Sequence, residues 1–222
     1  MIHQHELKAN DVHAYTLEML KEHLKIKVDG YICKTDMILN VLIKASAENS
    51  SLEAACGDLE ETADSNTIRE YLNEALPIKE LREQEKQVNK VLACGTPADL
   101  VRTDIEVALD FHDEPFYGKQ AGTRQVTCAG QAKKGTTHFV RIATAYIIWR
   151  QVRLTLAVRY VLPEDETLEI LKFLLQRLKK LGFKAKVLYM DKGFASTSII
   201  QYLTAQRQPA IIACPIRGKK GG

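Results

Sequence analysis

Apolar side chains recur at helical spacing in the first half of the chain. They form two runs, one at Val12, Tyr15, Leu17, Met19, Leu20 and Leu24 and the other at Met37, Ile38, Val41, Leu42 and Ala45. Spacings of three and four residues place such side chains on one face of a helix. The pattern therefore predicts an all-helical unit over residues 1–95.

Two short helices are predicted within this unit, one beginning over residues 50–54 and one over residues 65–69, with a turn over residues 59–64 between them. This layout is typical of a helix-turn-helix, whose second helix enters the DNA major groove by its N-terminal residues. We therefore expect four side chains to face DNA: Ser65, Asn66, Thr67 and Arg69. The alternative is an ordinary helical hairpin, because acidic residues that repel phosphate crowd the same stretch.

The pattern changes after the turn signal at residues 94–97. Alternation of apolar and polar residues from Ile105 to Phe111 predicts a strand, with Asp110 on the face opposite the aliphatic side chains and at the polar end of the strand. Further strands are predicted over residues 138–149, 152–160, 184–190 and 210–214. Together with the helices predicted between these strands, the pattern indicates an α/β domain with a mixed sheet over residues 96–222.

Helices are predicted on both sides of the strand over residues 184–190. The first starts between Pro163 and Glu166 and ends at Gly182, with an apolar stripe at Leu168, Leu171, Leu175, Leu178 and Leu181. The second is capped by Ser196 and ends near Gln206. Right-handed strand–helix–strand crossovers place their strands in parallel, so the carboxyl ends of the first and fourth strands should lie side by side. Ligands bind at that edge in such sheets.

Asp110 and Asp191 both fall at this carboxyl edge. Two carboxylates at close range repel each other unless a cation offsets their charge. Magnesium binds carboxylate oxygens and keeps positions open for substrate phosphates, and a pair of such ions can hold the attacking and leaving oxygens of a phosphodiester displacement. The sequence thus predicts a Mg²⁺ or Mn²⁺ site at Asp110 and Asp191. The alternative is that each aspartate is a turn or cap residue.

Charge is distributed unevenly along the chain, although the net charge is only +3. Residues 1–95 contain 11 Lys and Arg against 17 Asp and Glu, a net charge of −6, and residues 96–222 contain 20 against 11, a net charge of +9. The second half is therefore the part suited to a polyanion. The apolar runs are too short to span a bilayer, and the five scattered cysteines favour reduced thiols in the cytoplasm.

Two segments resemble the first and second aspartate motifs of DDE insertion-sequence transposases: VALDFHDEPFYGK (107–119) and KVLYMDKGFASTSII (186–200). The resemblance implies a ribonuclease H-like fold preceded by a DNA-binding helical domain. It assigns Asp110 and Asp191 to the catalytic, metal-binding positions. Asp113 also matches a motif acid, but the alternation places Asp110 on the strand proper. His112 and His138 suit a hard-cation site less well than carboxylates do.

The family's third carboxylate, a glutamate in a Y-x-x-R-x-x-x-E-x-x-x-K signature, has no counterpart here, because no Asp or Glu follows Asp191. The expectation is a C-terminally truncated transposase, a remnant, or a chain completed by a second chain. Its partner would be double-stranded DNA, both element ends and target, in the cytoplasm or at the nucleoid. We expect backbone contacts from Lys133, Lys134, Lys219 and Lys220.

Two other functions remain open at this stage. One is a catalytically inert DNA-binding protein that regulates transposition, which the missing glutamate favours. The other is an unrelated ribonuclease H-like nuclease, which would cut DNA without specificity for element ends.

Overall fold

Two hydrophobic cores divide the chain. The computed structural model describes residues 8–101, 103–118, 125–133 and 135–214. It separates into two units, Met1–Val91 and Leu92–Gly222, and each buried cluster of apolar side chains belongs to one unit. The division falls four residues before the predicted boundary at residues 95 and 96, inside a helix that continues to Cys94.

The first unit contains the helices of the N-terminal half. Their bounds are Ala9–His23 (α1), Thr35–Ala47 (α2), Leu52–Asp58 (α3), Ser65–Ala75 (α4) and Leu81–Cys94 (α5), of which α5 runs past the division. The Ser51 hydroxyl accepts a hydrogen bond from the Ala54 amide and caps α3. The Asp64 carboxylate accepts bonds from the amides of Asn66 and Thr67 and caps α4.

The apolar run predicted for α1 is only partly buried. Leu17, Leu20 and Leu24 pack against the core of the unit, whereas Val12 and Tyr15 are 54% and 59% exposed. The difference arises because the C-terminal half of α1 meets the core while its first turns extend beyond it. In the second helix the prediction holds, since Ile38 and Val41 are fully buried.

The second unit is a mixed six-stranded sheet with two longer helices. Its strands are Asp104–Pro115 (β1), Cys128–Lys133 (β2), Thr136–Trp149 (β3), Val152–Val161 (β4), Lys184–Met190 (β5) and Ala210–Ile212 (β6). The helices Thr167–Lys180 (α6) and Thr197–Ala205 (α7) precede and follow β5. The order is β2-β3-β1-β5-β6, and β4 also pairs with β3. Strand β1 is antiparallel to β3 and parallel to β5, which is parallel to β6.

The predicted pairing of the first and fourth strands is confirmed by the parallel register of β1 and β5. The predicted two-residue hairpin is also present, with Arg150 and Gln151 at φ 48° and 66°. Positive φ at both positions is the signature of a type I′ turn, which matches the twist of the flanking strands. Ser196 caps α7 as expected, through its hydroxyl and the Ile199 amide.

Two expectations are corrected, and one strand was not predicted. Asp110 does not end its strand, because β1 continues to Pro115 in antiparallel pairing with β3. The buried stripe of α6 is centred on Ile170, Leu171, Leu174 and Leu178, so Leu168, Leu175 and Leu181 lie at its margins. Strand β2 was not predicted, since its sequence has little apolar alternation. It pairs only with the beginning of β3, between Thr136 and Phe139.

The core of this unit lies between α6, α7 and one face of the sheet. Val107 and Leu109 of β1 and Leu188 and Met190 of β5 point into it, all at most 5% exposed.

Within the described part of the chain, no helix is long and apolar enough to cross a membrane. Cys33, Cys56 and Cys128 are buried free thiols, whereas Cys94 and Cys214 are exposed.

Candidate functional site

The register of β1 and β5 brings the two predicted catalytic aspartates together. Their last pair is Leu109 with Met190, and Asp110 and Asp191 are the residues that follow on the two strands. Parallel neighbouring strands lie about 4.8 Å apart, so the two residues lie side by side where the paired strands end. Beyond this point β1 continues alone beside β3, and β5 turns away into a short 3₁₀ helix, Lys192–Phe194.

The local backbone holds Asp191 in a fixed position. Its Oδ1 accepts a hydrogen bond of 2.9 Å from the Gly193 amide, so Asp191 caps the 3₁₀ helix. Burial raises the pKa of the Asp191 carboxyl above its ordinary value, and the nearby charge of Asp110 raises it further. The Asp110 carboxylate makes no hydrogen bond or ion pair within the described residues. Among the described residues no cation forms an ion pair with either carboxylate, although the nearby charge of Lys192 acts to lower the pKa of Asp191.

An aromatic stack joins the two aspartate segments. The rings of Phe111 and Phe194 lie 4.4 Å apart between centroids, with 14° between their planes. Phe194 is fully buried. A Cβ atom on Gly193 would lie 2.7 Å from the Phe111 ring and 3.0 Å from Asp191 Oδ1. Only glycine leaves room for the Phe111 ring beside position 193. Close packing therefore explains the glycine in the D-K-G-F sequence.

A cleft of about 600 Å³ opens beside Asp191. It lies at the carboxyl end of β5, between that strand, the ends of β1 and β4, and the start of α6. Its charged lining residues are Asp113, Lys133, Arg141, Asp165, Asp191 and Lys192. Asp110 is not among its lining residues, because alternation along β1 directs Asp110 away from the face of Phe111 and Asp113. Of the two aspartates, only Asp191 lines this cleft of mixed charge.

Asp113, the competing motif acid, is held by an arginine. Arg141 lies opposite it in the β1–β3 register and donates from Nε to Oδ1 at 2.6 Å and from Nη2 to Oδ2 at 3.0 Å. This contact lowers the pKa of Asp113 and raises that of Arg141. Both carboxylate oxygens of Asp113 are occupied, which favours Asp110 over Asp113 as a metal ligand.

Asp165 is a cleft residue that the sequence reasoning missed. Its Oδ2 accepts from the Leu162 amide at 2.9 Å, and its Oδ1 lies 3.7 Å from an Arg159 Nη2. The preceding Pro163 marked the segment only as a helix start. Because Asp165 is already bound to backbone and arginine, its geometry is that of a turn residue.

His112 and His138, the two histidines considered as metal ligands, make their hydrogen bonds with groups other than the two aspartates. His112 is an exposed residue whose Nε2 lies 2.5 Å from Glu114 Oε1. The backbone carbonyl of His138 accepts a bond from the Phe116 amide. Neither contact connects an imidazole to Asp110 or Asp191.

The predicted DNA-facing residues of α4 are engaged with one another. Arg69 Nη1 donates to the Ser65 hydroxyl at 3.1 Å and to Asn66 Oδ1 at 3.0 Å, and the Thr67 hydroxyl donates to the Asp64 carboxylate at 2.7 Å. Their contact with DNA stays a prediction. Of the predicted backbone-contacting lysines, Lys133 lines the cleft, while Lys134, Lys219 and Lys220 lie outside the described residues.

The donor set suits a hard divalent cation in part. Magnesium is commonly bound by one or two carboxylates, with water and substrate phosphates completing its coordination. Asp110 and Asp191 provide two such groups and a local negative charge for which a cation is the natural partner. Among the residues that the structure describes, no group of three or more His, Cys, Asp or Glu side chains is placed to hold a metal ion.

No protein-family model matches the chain, and no curated protein matches it in sequence. Among solved structures, it is similar to the piggyBac transposase in a cryo-EM synaptic complex with hairpin DNA, at 11% identity and a TM-score of 0.44. It is also similar to the Drosophila P element transposase in a strand transfer complex, at 8% identity and a TM-score of 0.43.

These alignments cover 97% and 92% of this chain but only 43% and 47% of those two chains, respectively. The chain therefore spans less than half the length of either structure. Similarity at this level carries no information on function, which has to be argued from the site itself.

Proposed function

We propose that the chain is a transposase of the DDE type with a ribonuclease H-like catalytic domain, acting on double-stranded DNA. The observation that carries the proposal is the adjacency of Asp110 and Asp191 after the last paired residues of β1 and β5. Each aspartate belongs to a segment that resembles a transposase motif, and the two segments are far apart in sequence. Their meeting at one sheet edge is what a shared catalytic role requires.

Asp110 and Asp191 would hold Mg²⁺ or Mn²⁺ through their carboxylates. A cation bound there would activate a water or a DNA 3′ hydroxyl and stabilise charge on the attacking and leaving oxygens. The chain's own part is positional. The Gly193 amide fixes Asp191, the Phe111–Phe194 stack holds the two segments together, and the cleft beside Asp191 has room for a phosphodiester.

DNA is the proposed partner of both halves. The net charge of +9 over residues 96–222 suits a phosphate backbone, and the α3–α4 pair in the other half has the layout of a helix-turn-helix. The acidic N-cap Asp64, beside the residues proposed to read DNA, disfavours close phosphate contact at that end of α4. The basic half is therefore the stronger candidate for backbone binding.

A second candidate is a non-catalytic DNA-binding protein that regulates transposition. It is favoured by the number of carboxylates at the site, since only Asp110 and Asp191 meet there among the described residues and no third acid joins them. Under this alternative the chain binds DNA with salt dependence but leaves phosphodiester bonds intact. A third carboxylate from a second chain would restore the first function.

The test is nicking of supercoiled plasmid DNA in Mg²⁺ or Mn²⁺, with Asp110→Asn and Asp191→Asn as the site variants. The matched control is Asp104→Asn. Asp104 lies at the other end of the β1–β5 strand pair, where it is paired with Lys184. We expect each site variant to lower the nicking rate at least about 100-fold, the scale of losing one transition-state contact, and the control to keep it.

Nicking that is abolished in both site variants and retained in the control would support the catalytic proposal. DNA binding without nicking by the wild-type chain would favour the regulatory alternative. Nicking that survives both site substitutions would contradict the assignment of Asp110 and Asp191, and would direct attention to other acids.

A further inference from the structure

The Asp113–Arg141 pair leaves part of the arginine unused. A guanidinium carries five N–H donors in a planar fork. Asp113 takes the donor of Nε and one donor of Nη2, so it holds the guanidinium by its side. The Arg141 side chain makes no other hydrogen bond within the described part of the chain. Three donors remain without a partner in Asp113: the second one of Nη2 and both of Nη1. One N–H of each Nη atom points the same way, and these two form a second binding edge of the guanidinium.

The position of that second edge is set by the surroundings of Arg141. The side chain is 30% exposed and lines the cleft beside Asp191 and Lys133. The negative charge of Asp191 contributes to raising the pKa of Arg141, so the guanidinium lies within electrostatic reach of the proposed metal-binding carboxylate. An anion bound to Arg141 in the cleft would therefore lie next to Asp191.

We propose that Arg141 is a substrate-contacting residue that binds a non-bridging oxygen of the DNA phosphodiester, and that Asp113 orients it. This inference rests on the proposed function, because it takes a phosphodiester as the ligand of the cleft. Arginine binds phosphate by two parallel N–H groups, a geometry that lysine cannot reproduce. Since Asp113 already fixes the plane of the guanidinium, little side-chain entropy is lost when phosphate binds.

A cross-strand ion pair with no function is the competing explanation, since Asp113 and Arg141 lie opposite each other in the ladder. Such a pair stabilises a sheet modestly. The two explanations differ in what each substitution does. Removing Asp113 breaks the ion pair but keeps the positive charge in the cleft, whereas removing Arg141 loses both.

The experiment measures binding of a fluorescein-labelled DNA duplex by anisotropy over a range of salt concentrations, in EDTA so that metal plays no part. The variants are Arg141→Gln, Arg141→Lys and Asp113→Asn. The matched control is Arg153→Gln, which removes one positive charge from β4 of the same sheet, where Arg153 stacks on Tyr146. Thermal unfolding of each variant reports separately on the fold.

We expect Arg141→Gln to reduce the slope of log affinity against log salt by about 0.9, the value for one phosphate contact. Arg141→Lys should keep the slope and bind more weakly. Asp113→Asn should keep the slope even where it lowers the melting temperature as much as Arg141→Gln does. Arg153→Gln should keep the wild-type slope.

Three results would overturn the inference: an unchanged slope in Arg141→Gln, an equal decrease in Arg153→Gln, or the same decrease in Asp113→Asn. Its failure is distinguishable from that of the proposed function. A lower slope in Arg141→Gln together with no metal-dependent nicking by the wild-type chain would keep the phosphate contact and reject catalysis. Nicking by the wild-type chain with an unchanged slope in Arg141→Gln would keep catalysis and reject the phosphate contact.

Discussion

Asp191 carries a charge that its surroundings disfavour. It is partly buried at the end of β5, with Asp110 beside it, and both conditions raise the pKa of its carboxyl. A group whose pKa is higher in the folded than in the unfolded state binds protons more tightly when folded. Its contribution to stability is therefore fully present below its ordinary pKa and is lost as the pH rises through the folded-state value.

Asp191→Asn should accordingly stabilise the metal-free fold at neutral pH. The asparagine Oδ1 can still accept the hydrogen bond from the Gly193 amide, so the cap is retained while the charge is removed. The gain should shrink toward zero as the pH is lowered below the ordinary range of an aspartate, where the wild-type carboxyl is neutral too. Denaturant unfolding in EDTA at neutral and acidic pH measures this difference.

A gain of equal size at both pH values would show that charge at Asp191 is not the cause. Asp104→Asn is the appropriate comparison, because the exposed Asp104 carboxylate lies 3.9 Å from the Lys184 ammonium, a charge of opposite sign. We expect that variant to show no such gain at neutral pH.

At the residue scale the sequence predicted which aspartates meet but not how the neighbouring acids are used. Period-two alternation placed Asp110 opposite the aliphatic face, and the crossover rule placed Asp191 beside it. The bidentate contact of Arg141 with Asp113 depends on the register of β1 against β3, which no local pattern encodes. Asp165 lies in the turn after β4 and binds the Leu162 amide and Arg159 of that strand, contacts that the helix-start signal at Pro163 does not reveal.

At the element scale, the stack of Phe111 on Phe194 connects β1 to the 3₁₀ helix after β5. Phe111 follows Asp110, and Phe194 closes the 3₁₀ helix that Asp191 caps, so the stack joins the two segments that carry the aspartates. Stacked aromatic pairs contribute about 0.5–1.5 kcal/mol beyond the area they bury. A metal site needs its ligands held within a few tenths of an ångström, and a leucine in place of either ring would loosen that spacing.

Phe194→Leu should lower the free energy of unfolding by about 1–2 kcal/mol and also weaken Mn²⁺ binding. The matched control is Phe183→Leu, because Phe183 is buried in the same core but precedes β5 instead of following it. We expect a similar loss of stability from the control with Mn²⁺ affinity preserved. Electron paramagnetic resonance titration gives the affinity. Equal affinities in the two variants would show that the stack has only a structural role.

The elements themselves were predictable where a strong pattern was present. Strands β1, β3, β4 and β5 and helices α6 and α7 follow from apolar periodicity and from the Gly182 and Ser196 end signals. Strand β2 has the sequence CAGQAK, with no aliphatic alternation, and it forms because the edge of β3 is available to pair with it. The end of β1 was misplaced for a similar reason, since pairing with β3 extends it through the polar residues 112–114.

At the scale of the whole molecule, the two units differ in core and in net charge. The helical core contains only residues of Met1–Val91, and the core around the sheet only residues of Leu92–Gly222. The first unit has a net charge of −6 and the second a net charge of +9, with the basic excess beginning after Glu114. The salt-dependent part of DNA binding should therefore reside in the unit that also contains the carboxylate pair.

Each core should consequently stabilise its own unit. Ile38 and Leu171 are both fully buried, one in each core, and truncating such a side chain to alanine costs about 2–5 kcal/mol. Ile38→Ala should reduce amide hydrogen-exchange protection in α2 and α4 while β1 and β3 stay protected, and Leu171→Ala should do the opposite. Because the two sites share no core, the effects should add in the double variant. Loss of protection throughout the chain from either single substitution would instead mean that the two units unfold as one.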